Sequence, residues 1–162
     1  MKTLIIYSTT HGGTEKAAII LKSKLAGEVS LLNIMLEPIT ELEEYDNIIL
    51  GGSIYIGKVQ KKLSSFMNIN LPLLLEKRIG LFICAAQEDE YLKDKELITA
   101  FPHAIFDHAI AKEVFGYELD MDKLNFFEKL VMSKVKGLKT SIHKLSEEKI
   151  YGFAEKIVRV NG

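Results

Sequence analysis

The chain has 162 residues and a formal net charge of −1, with 48% hydrophobic and 27% charged residues. This length predicts one domain, residues 1–162, with a full core, and the composition is ordinary for a soluble globular protein. The near-neutral balance gives no chain-wide field for nucleic acid, and no apolar run approaches the roughly 20 residues of a membrane helix. Leu4, Ile5 and Ile6 are too short a run for a signal-peptide core, and the single Cys84 makes no internal disulfide, which suits a reducing cytoplasmic setting.

Lys2 to Tyr7 reads as a buried strand running into a hydroxyl- and glycine-rich turn: Ser8, Thr9, Thr10, His11, Gly12, Gly13 and Thr14. A helical pattern follows at Lys16, Ala17, Ala18, Ile20, Leu21 and Leu25, with Gly27 as its stop. Glu28 to Asn33 is a short second strand, and Thr40 to Glu44 a brief capped turn. Asn47 to Leu50 is a third strand, apolar throughout, ending in a second Gly-rich loop from Gly51 to Gly57. Val59 to Met67 reads as a helix, Pro72 to Leu75 as a buried connection, and Arg78 to Ala85 as a fourth strand.

A polar loop from Gln87 to Glu90 leads to a helical stretch, Tyr91 to Ile110, interrupted by Pro102. Lys112 to Tyr117 is a fifth strand, and an added segment occupies about 120–144. Ser146 caps a last helix whose Ile150, Phe153, Ala154, Ile157 and Val158 face the core. Strands alternating with helices predict an α/β fold with a doubly wound, five-stranded parallel sheet. Ligands of such sheets bind at the carboxyl ends of the strands, where the loops after strands one, three and four emerge.

Strand, tight loop and helix form the layout of an anion site, because free N–H groups and the helix dipole face one point. No Lys or Arg lies in the loop, so a phosphate there is expected to rest on N–H dipoles and hydroxyls. The P-loop run G-x-x-x-x-G-K-[ST] is absent. A dinucleotide fingerprint needs other glycine spacing and an acid roughly 20 residues on, where Leu32 stands. A receiver domain needs acids where Tyr7, Ser8 and Gly51 to Ser53 stand. A mononucleotide phosphate fits best; a plain Gly-rich turn capped by Ser or Thr is the alternative.

In the added segment Leu124, Phe127, Val131, Val135 and Leu138 share a helical stripe, broadened by Leu130, with Phe126 and Met132 off it. Lys123, Lys129, Lys134, Lys136, Lys139 and Lys144 stand against one acid, Glu128. A basic amphipathic helix is a membrane-surface or partner-docking element, or else an ordinary helix with solvated lysines. His103 and His108 do not share a helical face, so no metal site is expected, and Cys84 reads as a small core residue.

The opening stretch Lys2 to Thr14 resembles the FMN phosphate loop of the flavodoxin family, and Tyr45 to Gly57 is similar to its third strand and flavin-contacting loop. Gly51 to Lys58 and Phe126 to Gly137 further resemble the menaquinone-dependent protoporphyrinogen dehydrogenases, flavodoxin-fold enzymes of haem biosynthesis. The resemblance implies FMN as cofactor. Ser8, Thr9, Thr10, Gly12, Gly13 and Thr14 would wrap its phosphate, and His11 is a further candidate donor. Ser53, Ile54, Tyr55, Ile56 and Gly57 would run along the isoalloxazine, with Tyr55 stacking. Ala85, Ala86 and Gln87 would form the other wall. It departs from the flavodoxin carriers in its near-neutral charge, and from the dehydrogenases in lacking Arg and Trp in the added segment. The expected function is an FMN-dependent oxidoreductase that passes electrons to a quinone, with residues 123–136 contacting the inner face of a membrane. A soluble electron carrier working with a redox partner protein, and a cofactor-free interaction domain, are the alternatives.

Overall fold

The computed structural model describes residues 1–9, 11–54, 57–135 and 140–159. In chain order the elements are β1 (Lys2–Ser8), α1 (Gly13–Lys24), β2 (Glu28–Asn33), a 3-10 turn (Leu42–Glu44), β3 (Asn47–Ser53), α2 (Lys61–Ile69), α3 (Leu71–Leu74) and β4 (Arg78–Cys84). Then follow α4 (Glu90–Thr99), α5 (His103–His108), β5 (Ala111–Val114), β6 (Gly116–Leu119), a second 3-10 turn (Met121–Lys123), α6 (Phe126–Val135), β7 (Ile142–Leu145) and α7 (Glu147–Arg159).

Five strands form a parallel sheet in the order β2-β1-β3-β4-β5, the doubly wound α/β arrangement the alternation predicts. Alternate residues of each strand serve opposite layers, because successive side chains point to opposite faces. Ile5, Ile49 and Phe82 pack under α1 and α7 with Ala17, Leu21 and Phe153. Leu4, Ile6, Leu50 and Leu81 pack on the other face with Leu63, Met67, Leu97 and Ile105. Within the first layer the Phe82 and Phe115 rings stack with centroids 4.6 Å apart, and Phe153 meets Phe115 edge-on at 5.3 Å. Each such pair adds about 0.5–1.5 kcal/mol beyond its burial.

The third strand runs on to Ser53, past the Leu50 end that its glycines suggest. Gly51 and Gly52 pair with Tyr7 and Ser8 of β1 and with Phe82 and Ile83 of β4. A Cβ on Gly51 would collide with the Phe82 ring, so here the missing side chain makes room inside the sheet rather than a turn.

The fifth strand is shorter than expected. It stops at Val114, and Gly116, with φ +95°, turns the chain into β6, which pairs antiparallel with β7 in a separate two-stranded sheet. The added segment also differs in phase. The Asn125 side chain accepts from the Glu128 N–H at 2.8 Å and so caps α6, which starts later than the stripe assumed. Leu124 lies before it, Met132 is buried, and Phe127 is exposed. Leu138 lies outside the described residues. In α7 the expected face is buried except for Val158, which is exposed.

Candidate functional site: a glycine loop closed by the added segment

The loop after β1 sits at the carboxyl edge of the sheet, where strand order reverses between β1 and β3. Thr9 Oγ1 accepts from the Gly12 N–H at 3.0 Å and folds the loop back on itself. Gly12, with φ +84°, then launches α1 with no side-chain cap, so the helix N-terminus stays open toward the loop. Ser8 is fully buried, and its hydroxyl donates to Gln60 Oε1 at 2.6 Å; Gln60 Nε2 in turn donates to Ser53 Oγ at 2.8 Å. Thr14 is also fully buried, and its Oγ1 has no hydrogen-bond partner of good geometry among the described residues. Burial pushes the neighbouring Cys84 thiol up to about 12, against a downward pull from the Thr14 hydroxyl.

Thr9, His11, Gly13, Thr14, Ser53 and Ile54 line one cavity of about 20 Å³. This is room for roughly one water molecule. Its remaining walls come from β6 and α6: Tyr117, Glu118, Leu119 and Met132. A Cβ on Gly13 would collide with the Glu118 carbonyl, so β6 lies directly against the first residue of α1. The Glu118 carboxylate takes the Lys16 ammonium at 2.8 Å and His143 Nδ1 at 2.7 Å. Burial opposes its ionisation, but these two partners outweigh it and hold the Glu118 carboxyl below the usual range. His11 Nδ1 lies 3.0 Å from Glu128 Oε2 of α6. The Lys123 ammonium lies 3.6 Å from where a Gly12 Cβ would be, so a cation does reach the loop, from a distant part of the chain.

Ala85, Ala86 and Gln87 line a second and larger cavity, about 430 Å³, together with Tyr117, Ile142 and Lys144. The Ala85 N–H donates to the Gly116 carbonyl at 2.9 Å, which ties this wall to β6. Gln87 Oε1 accepts from the Glu88 and Asp89 N–H groups, so its side chain is folded onto its own loop. Gly57, with φ +72°, has open space where a Cβ would be. Thr10, Tyr55 and Ile56 lie outside the described residues. Thus Thr9, His11, Gly13 and Thr14 of the predicted phosphate residues meet Ser53 and Ile54 of the β3 loop at one cavity, while the Ala85–Gln87 wall faces a separate one.

Gln60, Glu118, Glu128 and Met132 escaped the sequence reading of the site. Glu128 carries a visible signal as the lone acid among lysines. No local pattern marks the others. Among the described residues no cluster of His, Cys, Asp and Glu is able to hold a metal ion, and no helix is long and apolar enough to cross a membrane.

An open parallel α/β sheet with a glycine-built loop at its switch point defines the class. The chain belongs to the flavodoxin family: the family model described as "Flavodoxin domain" matches residues 4–146. Solved structures share the fold across the chain. Oxidised flavodoxin 2 of Bacillus cereus is 23% identical, with a TM-score of 0.64 and 99% of each chain covered. The flavodoxin of Fusobacterium nucleatum bound to flavin mononucleotide is 17% identical, with a TM-score of 0.53 and 98% of each chain covered. Rubredoxin oxygen:oxidoreductase of Desulfovibrio gigas is 14% identical, with a TM-score of 0.58; the match takes in 98% of this chain and 35% of that one. No curated protein sequence matches the chain.

Proposed function

We propose that the chain, acting as one domain, binds FMN non-covalently and serves as a redox protein. The observation that carries this reading is the buried Thr14 hydroxyl, without a hydrogen-bond partner of good geometry among the described residues, beside the uncapped N-terminus of α1, in a loop where glycine leaves the backbone bare. This donor set fits a phosphate. The space beside it, at about 20 Å³, does not admit one until the added segment shifts. Thr9, Thr10, His11, Gly12, Gly13 and Thr14 would hold the phosphate, with Ser8 braced by Gln60 as the support of the loop. Ser53, Ile54, Tyr55, Ile56 and Gly57 would line the isoalloxazine on one side, and Ala85, Ala86 and Gln87 on the other. Bound FMN supplies reversible electron and hydride transfer, and the protein positions it and keeps water away.

The finer reading is an oxidoreductase resembling menaquinone-dependent protoporphyrinogen dehydrogenase. Two features support it. The cavity beside Ala85–Gln87, about 430 Å³, is of the size that takes a small-molecule substrate. On α6, Phe126 and Phe127 are 83% and 71% exposed beside the exposed Lys129 and Lys134, a surface suited to an anionic bilayer and a quinone dissolved in it. The protein would then work on the cytoplasmic side of the membrane. A soluble carrier that docks on a redox partner protein is the second reading, favoured by the full-length structural likeness to flavodoxins.

An absorption spectrum of the purified protein, followed by FMN titration, tests the cofactor. Yellow protein that releases FMN on denaturation supports it; colourless protein that takes up no FMN refutes it and leaves an interaction domain. Replacing Lys129, Lys134 and Lys136 with Glu tests the membrane reading. Loss of co-sedimentation with anionic vesicles and of quinone reduction is expected; no change in either leaves the carrier.

A further inference from the structure

We propose that residues 116–135 and 140–145 form a strap that competes with an incoming phosphate for the loop after β1, with the Glu128 carboxylate holding His11 until the anion displaces it. The proposal rests on the anion-site reading above and names how that site is regulated.

Several contacts from this one segment fall on the loop and the first turn of α1. Glu128 Oε2 is 3.0 Å from His11 Nδ1. The Glu118 carbonyl lies against Gly13, and the Glu118 carboxylate takes Lys16 at 2.8 Å. Leu119 and Met132, 1% and 3% exposed, fill the volume in front of Thr14. The segment therefore places carboxylates on His11 and Lys16 and apolar side chains over the buried hydroxyl, while its own Lys123 ammonium stands 3.6 Å from where a Gly12 Cβ would be. The buried Thr14 hydroxyl has no hydrogen-bond partner of good geometry among the described residues, the Cys84 thiol beside it being a weak one, and it is the group left under-satisfied while the strap is down.

The strap is also the part of the fold best able to lift. Its strands form a ladder only with each other, and its core is the small cluster of Tyr117, Leu119, Leu124 and Met132; its ties to the main layers lie at its two ends, where the Ala85 N–H meets the Gly116 carbonyl and Leu145 packs under α1 and α7. A lone two-stranded ladder of this kind is marginal without such packing. The Lys16–Glu118 ion pair and the His11–Glu128 contact that hold it down have partly exposed partners, and contacts of that kind are individually weak. Local opening without loss of the main sheet follows from that distribution of contacts.

The test uses the full chain freed of flavin, as wild type and as Glu128→Ala. FMN association is followed by quenching of flavin fluorescence, and hydrogen exchange is measured for the amides of residues 11–16. The variant is expected to take up FMN about threefold faster, the scale of one weak surface contact, and to lose exchange protection at Gly12, Gly13 and Thr14. Added salt should narrow the difference in rate between the two proteins, because it screens the Glu128 carboxylate, which only the wild type carries. Equal rates with unchanged exchange overturn the strap. Failure of both proteins to bind FMN counts against the cofactor reading instead. The strap is then decided by exchange and by competition with inorganic phosphate: protection that is insensitive both to Glu128→Ala and to phosphate overturns it. Circular dichroism identical to wild type excludes misfolding of the variant.

Discussion

Ser8, at the end of β1, donates its hydroxyl hydrogen to Gln60 Oε1 at 2.6 Å, across the sequence gap between the first loop and the entry to α2. The same amide donates to Ser53 at the end of β3, so one side chain clamps the two strand ends that frame the switch point. Removing it leaves a buried hydroxyl unsatisfied. Gln60→Ala is expected to destabilise the fold by about 1–3 kcal/mol, read from urea unfolding. A change near zero would mean that water replaces the amide without loss.

Cys84 is fully enclosed, and its thiol is pushed up to about 12 by burial. Only the thiolate reacts with disulfide reagents. At pH 8 the native protein is therefore expected to give no thiol reaction with an aromatic disulfide, and one equivalent after unfolding in guanidinium. Fast modification of the native chain would show that the floor of the small cavity opens to solvent.

Glu118 is held below the usual carboxylate range in the folded chain, so the unfolded state takes up its proton first as pH falls. Its stabilisation is complete above the ordinary value of 4.5 and is lost as pH drops below it toward the folded value. Glu118→Gln should flatten the acid limb of a stability-against-pH curve, with its largest effect near neutral pH. A parallel shift of the whole curve would argue that packing rather than charge anchors β6.

The parallel sheet was legible because its central strands carry apolar residues on both faces. Ile5 and Ile6, or Ile48 and Ile49, announce a strand covered on two sides before any topology is known. The same logic misled at Gly51 and Gly52. Glycine signals a turn locally, and only the ring of Phe82, distant in sequence, explains why it extends the strand here.

The loop after β1 was legible from its hydroxyls and glycines, since a strand–turn–helix order fixes where its N–H groups point. Its closure was not. The His11–Glu128 pair and the Glu118 carbonyl against Gly13 join residues with no periodic relation, and they depend on where Gly116 redirects the chain. The buried face of α6 was missed because Leu124 lies before the helix and Met132 is buried by Tyr117 and Leu119 of β6, a contact that no helical spacing announces; Phe126 and Phe127 stay outward.

That orientation gives α6 two audiences. Glu128 and Met132 face the loop, while Phe126 and Phe127 face away from the body of the protein. Whatever grips the outer face more firmly in one position of the helix than in the other alters anion affinity at the inner face by some factor. Thermodynamic reciprocity requires the anion to alter the outer grip by the same factor. A single short helix thereby makes occupancy inside and attachment outside two readings of one equilibrium.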